Sequence, residues 1–119
     1  MEFSDQLAAL NRAVALERLG GDEQLLREIA ALFLEDTASL VEEIRRAVQA
    51  RDAVALQRGA HTLKGSVCNF GAERSYEAAY RLETIGRSGD LSTADEAFRR
   101  LEAELERLTP ALVDICREG

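Results

Sequence analysis

The chain contains one histidine, His61, and the residues around it are those whose types could do chemistry. It lies in AHTLKGSVCNFGA, residues 60–72, with Lys64 three positions on and Gly65 directly after. An imidazole that titrates near neutrality serves as a proton carrier or a nucleophile. An ammonium one helical turn away can neutralise a phosphoryl group held on a ring nitrogen. Gly65 is the odd member, because glycine inside a helix costs about 0.5–1 kcal/mol relative to alanine.

Helical phase decides where the histidine points. With residues 52–69 on a wheel at about 100° per residue and His61 at zero, Leu56, Leu63, Val67 and the following Phe70 fall between roughly 180° and 240°, with Ala60 close by. Gln57, Gly65 and Cys68 fall within about 40° of His61, and Arg58 and Lys64 about 60° to either side. The imidazole therefore points away from the apolar stripe, which disfavours a core histidine. An incidental surface histidine and a solvated lysine satisfy the same wheel, but they leave Gly65 unexplained. Its missing side chain, one turn beyond His61 on the same face, makes a flat spot through which another macromolecule can reach the ring.

The elements that must hold this face are helical nearly throughout, and no run alternates with period two. A short first helix is expected from Leu7 to Leu19, closed by Gly20-Gly21. Asp22 is a good N-cap for a long helix with the stripe Leu26, Ile29, Phe33, Thr37, Leu40, Ile44 and Val48. It should reach about Ala50, roughly 40 Å at 1.5 Å per residue, with Asp36-Thr37 the one place for a break. Asp52 caps the helix of His61, which stops at Gly71. The next runs from Ala72 or Glu73 to Arg87 and turns Tyr76, Ala79, Leu82 and Ile85 inward. After the turn at 87–90, Ser92 starts a last helix, with Asp95 as capping-box partner. That helix carries Ala94, Phe98, Leu101, Leu105, Leu108, Leu112 and Ile115, and Pro110 should kink or break it. These patterns predict an all-α fold: an antiparallel, up-and-down four-helix bundle with a short extra N-terminal helix, one domain over residues 1–119.

Composition narrows the function. With 46% hydrophobic and 31% charged residues the chain is globular rather than disordered. Fifteen basic against 22 acidic residues give a net charge of -7, which argues against a nucleic-acid partner. No stretch is long and apolar enough for a membrane span, and MEFSDQ lacks the regions of a signal peptide, so a cytoplasmic location is expected. Cys68 and Cys116 lack metal-ligand spacing and are expected to be reduced thiols. One histidine cannot supply the repeated Glu-x-x-His of a metal-binding bundle, and no P-loop or Gly-rich nucleotide loop is present.

With these residues in view, AHTLKGSVCNFGA resembles the signature of the histidine-containing phosphotransfer (HPt) domains of bacterial two-component phosphorelays: a small residue, His, any residue, Leu-Lys-Gly-Ser, then Gly-Ala. LGGDEQLLREIAALFLEDT upstream and RLETIGRSGDL downstream extend the likeness to about residues 15–108. The resemblance implies a four-helix bundle in which His61 accepts a phosphoryl group and exchanges it with the aspartate of a receiver domain. Lys64 matches the lysine that helps hold that group, Gly65 the glycine that admits the receiver, and Gly71-Ala72 the turn into the next helix. Glu83 stands at the spacing of a Glu or Gln that, in some relatives, bonds the other ring nitrogen; a plain surface glutamate is the competing reading. Gln57, Arg58, Cys68 and Asn69 join Gly65 on the implied receiver-docking face. Val67-Cys68-Asn69 departs from the small apolar residues common there and leaves thiol chemistry beside His61 open, against a packing thiol.

The resemblance further implies a phosphocarrier without a kinase domain of its own. Its partners would be a receiver domain and a sensor or hybrid histidine kinase, with Mg²⁺ supplied by the receiver and no cofactor or metal on this chain. A monomer is expected, and the Met1 start and length suit a stand-alone protein. A non-catalytic helical adaptor is the alternative from another class.

Overall fold

The computed structural model describes residues 9–118. Among these residues five helices follow one another: α1 (Arg12–Arg18), α2 (Glu23–Ala50), α3 (Ala53–Cys68), α4 (Glu73–Ser88) and α5 (Ala94–Arg117). Helix α2 packs on α3 and α5, and α4 packs on the same two, so the four long helices close a ring around one core. Successive helices touch and are joined only by residues 51–52, 69–72 and 89–93, which forces each to run antiparallel to the last. The expected up-and-down bundle is therefore the observed one.

Local signals account for most boundaries. Asp22 and Asp52 accept from the backbone N–H of Leu25 and Ala55 at 3.0 and 3.1 Å, satisfying donors that the helix itself leaves open. Helix α2 has no break at Asp36-Thr37 and runs nearly the full 44 Å length of the molecule. The inward stripes are those expected on α3 and α5: Leu56, Leu63, Val67 and Phe70 are wholly buried, as are Leu101, Leu108 and Leu112. The Phe33 and Phe70 rings meet edge to face, with centroids 5.5 Å apart, and tie α2 to the end of α3.

Four expectations need correction. The first helix does not run unbroken from Leu7: residues 1–8 lie outside the described residues, and α1 begins only at Arg12. The Asn11 N–H is drawn off to Phe70 O at 2.9 Å while its side chain caps Val14 N at 3.1 Å, so two bonds hold the chain out of helix there. Helix α5 starts at Ala94 rather than Ser92, without a side-chain cap. Asp95 turns instead to Arg51 at 2.9 Å, and the Ser92 N–H donates to Asp90. Pro110 does not end α5, which continues to Arg117 with the proline inside it. Tyr76 is not inward; more than a third of its surface is exposed.

Two glycines set the approach of neighbouring elements. Gly71 has φ +60°, and a Cβ there would lie 2.9 Å from Asn11 Cβ, so α1 can close over the α3–α4 turn only with glycine in place. At Gly86 a Cβ would lie 2.7 Å from Gln57 N and 2.8 Å from Ala53 O. The backbones of α3 and α4 thus all but touch one turn before His61. Gly86→Ala should lower stability by about 1 kcal/mol or more, because rigid backbone must shift and that outweighs alanine's helical preference. Urea denaturation checks this; an unchanged or higher midpoint would contradict the close-approach account.

Candidate functional site

Three helical residues meet where α3 and α4 cross. His61 and Lys64 project from α3, and Glu83 comes across from α4. The His61 side chain is 67% exposed, Lys64 18% and Glu83 only 4%. The outward histidine predicted by phase is therefore present, and it leans on a carboxylate that is nearly dry.

Glu83 is the hub. Its Oε2 lies 2.8 Å from His61 Nδ1 and 3.2 Å from Arg87 Nη2, and its Oε1 lies 2.7 Å from Lys64 Nζ. Oε1 takes no well-directed hydrogen bond, so its counter-charge is the ammonium alone. The short Lys64 contact holds the Glu83 carboxyl below the usual carboxylate range against the opposing effect of burial, with His61 helping. Its reciprocal on Lys64, again led by Glu83, raises the ammonium above the ordinary lysine range.

An ionised Glu83 can only accept, so the 2.8 Å contact requires the proton on His61 Nδ1. A neutral ring then keeps its lone pair on Nε2, and among the described residues nothing hydrogen-bonds that atom. A fixed tautomer with a free outward nitrogen is the arrangement of a nucleophile oriented by a buried partner. The other buried carboxylate among the described residues, Glu104, is held by Arg100 and Arg107 of its own helix and has no such group beside it.

The remaining candidates divide. Gln57 and Arg58 share an open hollow with Val54, His61, Thr62 and Glu83. Gly65 is exposed, and a Cβ there would meet nothing within 4 Å, so packing does not demand a glycine. Cys68 is half-buried and lines a different hollow, with Arg18, Gly71, Ala72, Glu73 and Tyr76. Asn69 is exposed at a third, between α2 and α3, with Phe33, Ser66 and Phe70 among its walls.

Sequence reasoning missed Arg87, Tyr76 and Tyr80 as neighbours of the site. Tyr76 and Tyr80 stack at 6.4 Å, and the Lys64 ammonium lies over both rings, 5.1 Å from Tyr80 and 6.0 Å from Tyr76. The signal was available: on a wheel centred on Glu83, positions 76, 80 and 87 all lie within about 60°. The apolar ring of Tyr76 suggests an inward position, but its phase belongs with Glu83 at the edge of the core.

An all-α bundle that presents one histidine, fixed from behind by a carboxylate and flanked by a lysine, defines a scaffold for displaying a nucleophile. A family model described as Hpt domain matches residues 28–111, and the chain belongs to that family. Two solved structures have the same fold. One is histidine-containing phosphotransfer protein B (HptB) from Pseudomonas aeruginosa PAO1, with TM-score 0.83, 25% identity, and coverage of 92% of this chain and 96% of that one. The other is the HPT domain of a sensor hybrid histidine kinase from Shewanella, with TM-score 0.82, 20% identity, and coverage of 92% and 94%. The curated proteins contain no match to the sequence. Among the described residues no helix is long and apolar enough to cross a membrane.

Because Glu83 is depressed, its contribution to stability is present above the ordinary carboxylate range and is lost as pH falls through its lowered folded value. Because Lys64 is raised, its share is present below the ordinary lysine range and is lost as pH climbs through its raised folded value. Between these limits both are charged. Glu83→Gln should therefore be least stable relative to the unsubstituted chain at neutral pH, and the gap should narrow progressively as pH falls below the ordinary carboxylate range. Urea midpoints against pH measure this, and a gap that persists undiminished in acid would exclude the charged hub.

Proposed function

We propose that the chain is a phosphorelay intermediate that accepts a phosphoryl group on His61 Nε2 and exchanges it with the aspartate of a receiver domain. The observation that carries this reading is the Glu83–His61 contact, which commits the proton to Nδ1 and leaves Nε2 free on an exposed ring. Membership of the Hpt family makes the chain a phosphocarrier rather than a kinase.

In the accepting direction the Nε2 lone pair attacks the phosphorus of an aspartyl phosphate. The P–O bond to the aspartate breaks, and the carboxylate leaves with the bonding electrons. The product is a phosphoramidate whose ring retains Nδ1–H and gains a positive charge, opposite the Glu83 carboxylate. Donation is the same path reversed. No proton has to move, so what the site supplies is position and charge. Lys64 stands within the same cluster to balance phosphoryl charge, and the receiver supplies Mg²⁺. His61, Lys64 and Glu83 all come from one chain, which supports action as a monomer. A histidine kinase upstream and a receiver as partner fit the family, and a cytoplasmic setting follows from such partners. The adaptor reading gains nothing from a site in which both histidine and lysine are in place.

Gly65 sharpens the access argument. A Cβ would meet open space there, so Gly65→Ala should stabilise the fold by about 0.5–1 kcal/mol. A glycine kept where alanine would be more stable points to a surface that must stay low. Incubation with a panel of phosphorylated receiver domains should place acid-labile label on the chain, and His61→Gln should abolish it. Gly65→Arg should fold normally and slow transfer at least about tenfold, the cost of roughly 1.4 kcal/mol in the barrier. Label undiminished in His61→Gln would overturn the assignment, and unchanged transfer in Gly65→Arg would remove the access role.

A further inference from the structure

Tyr76 and Tyr80 are the feature that neither the core nor the phosphoryl chemistry explains. The two residues are 36% and 48% exposed, one helical turn apart on α4, while Ala79 and Leu82 of the same helix fill the core. They stack with an interplanar angle of 26°, and the ledge they form faces Lys64. The ammonium lies within cation–π range of the Tyr80 ring, at 5.1 Å, and at the edge of that range for Tyr76, at 6.0 Å. Its other neighbour is Glu83 Oε1 at 2.7 Å.

A lysine on a helix surface ordinarily samples many rotamers, and its ammonium keeps its water. Lys64 does neither, since its side chain is only 18% exposed between a buried carboxylate and two ring faces. Glu83 alone cannot hold it in the charged-carrier state, because there the imidazolium and the phosphoryl group compete for both partners. The ring faces are the contact that no change in phosphorylation alters. We infer that Tyr80, supported by Tyr76, is a positioning residue for Lys64: its face keeps the ammonium beside His61 whether or not the ring carries a phosphoryl group. This rests on the reading of His61 as the phosphoryl acceptor.

The test compares Tyr80→Leu, which removes the aromatic face at similar bulk, with Tyr80→Phe, which keeps it. The full chain is charged with phosphoramidate as a partner-independent phosphodonor, and loss of phosphohistidine is followed by ³¹P NMR. Tyr80→Leu should shorten the lifetime roughly two- to fivefold, the range of a cation–π contact at an exposed site, and Tyr80→Phe should restore it. In a Lys64→Met background, Tyr80→Leu should have no effect. An upfield ring-current shift of the Lys64 methylene protons should persist in Tyr80→Phe and shrink in Tyr80→Leu, where only the Tyr76 ring remains, with unchanged urea midpoints showing that both fold. A phosphohistidine lifetime indifferent to Tyr80→Leu, or shortened equally with Lys64→Met, overturns the positioning role alone. Failure of the unsubstituted chain to take label overturns the carrier reading, and this role with it.

Discussion

The site depends on one buried charge. Glu83 has lost nearly all its water, and an ionised carboxylate in that position is costly unless it is paired on every side that matters. Lys64 meets one oxygen, and His61 and Arg87 meet the other. Two of these partners come from the neighbouring helix, so the carboxylate is satisfied only if α3 and α4 cross at a fixed distance and in a fixed register. The demand for charge compensation thus becomes a demand on backbone geometry. Gly86 answers it by removing the side chain that would hold the helices apart one turn away. The same crossing fixes which imidazole nitrogen carries the proton.

Three glycines near the site do different work, and the structure tells them apart. Gly71 is required by its backbone conformation and by the approach of Asn11, and Gly86 by the contact between two helix backbones. Gly65 has neither reason, being an ordinary helical residue with open space where a side chain would be. Local stability would favour alanine there. In the proposed reaction, the approach of another molecule to His61 is the event that would give the absence of a side chain at Gly65 a purpose. Close contacts at Gly71 and Gly86 and open space at Gly65 separate the glycines that packing demands from the one it does not.

The sequence carried the parts of this arrangement that depend on phase and local capping. Leu56, Leu63, Val67 and Phe70 determine which way His61 faces, because burying that stripe leaves the ring no other direction. Asp22 and Asp52 mark helix starts because an N-cap acts within three residues. Two of the expectations that failed were decided by partners far along the chain. Asn11 leaves the helix for Phe70, and Asp95 abandons a cap at Ser92 for Arg51. Tyr76 lies outside the core because its phase sets it beside Tyr80 and Lys64 rather than with Ala79 and Leu82. The resemblance to Hpt domains brought Glu83 forward as a candidate, but its burial and its bond to Lys64 are tertiary facts. No spacing within α3 shows that the lysine beside the histidine also reaches a carboxylate on α4.

That last point resolves an apparent contradiction in the chemistry. A carboxylate next to a group that is to carry a phosphoryl dianion would repel it, and this chain is acidic overall. Glu83, however, contacts Nδ1, and the phosphorus in the proposed reaction binds Nε2 on the opposite side of the ring. Phosphorylation at Nε2 with Nδ1–H retained makes the ring a cation, so the ring edge facing Glu83 becomes positive at the moment the dianion arrives. Lys64 and Arg87 add two more positive charges around a single negative one. The carboxylate therefore stabilises the charged ring more than it opposes the phosphoryl group. A neutral residue at 83 could orient the imidazole, but it could not offset the charge that transfer creates there.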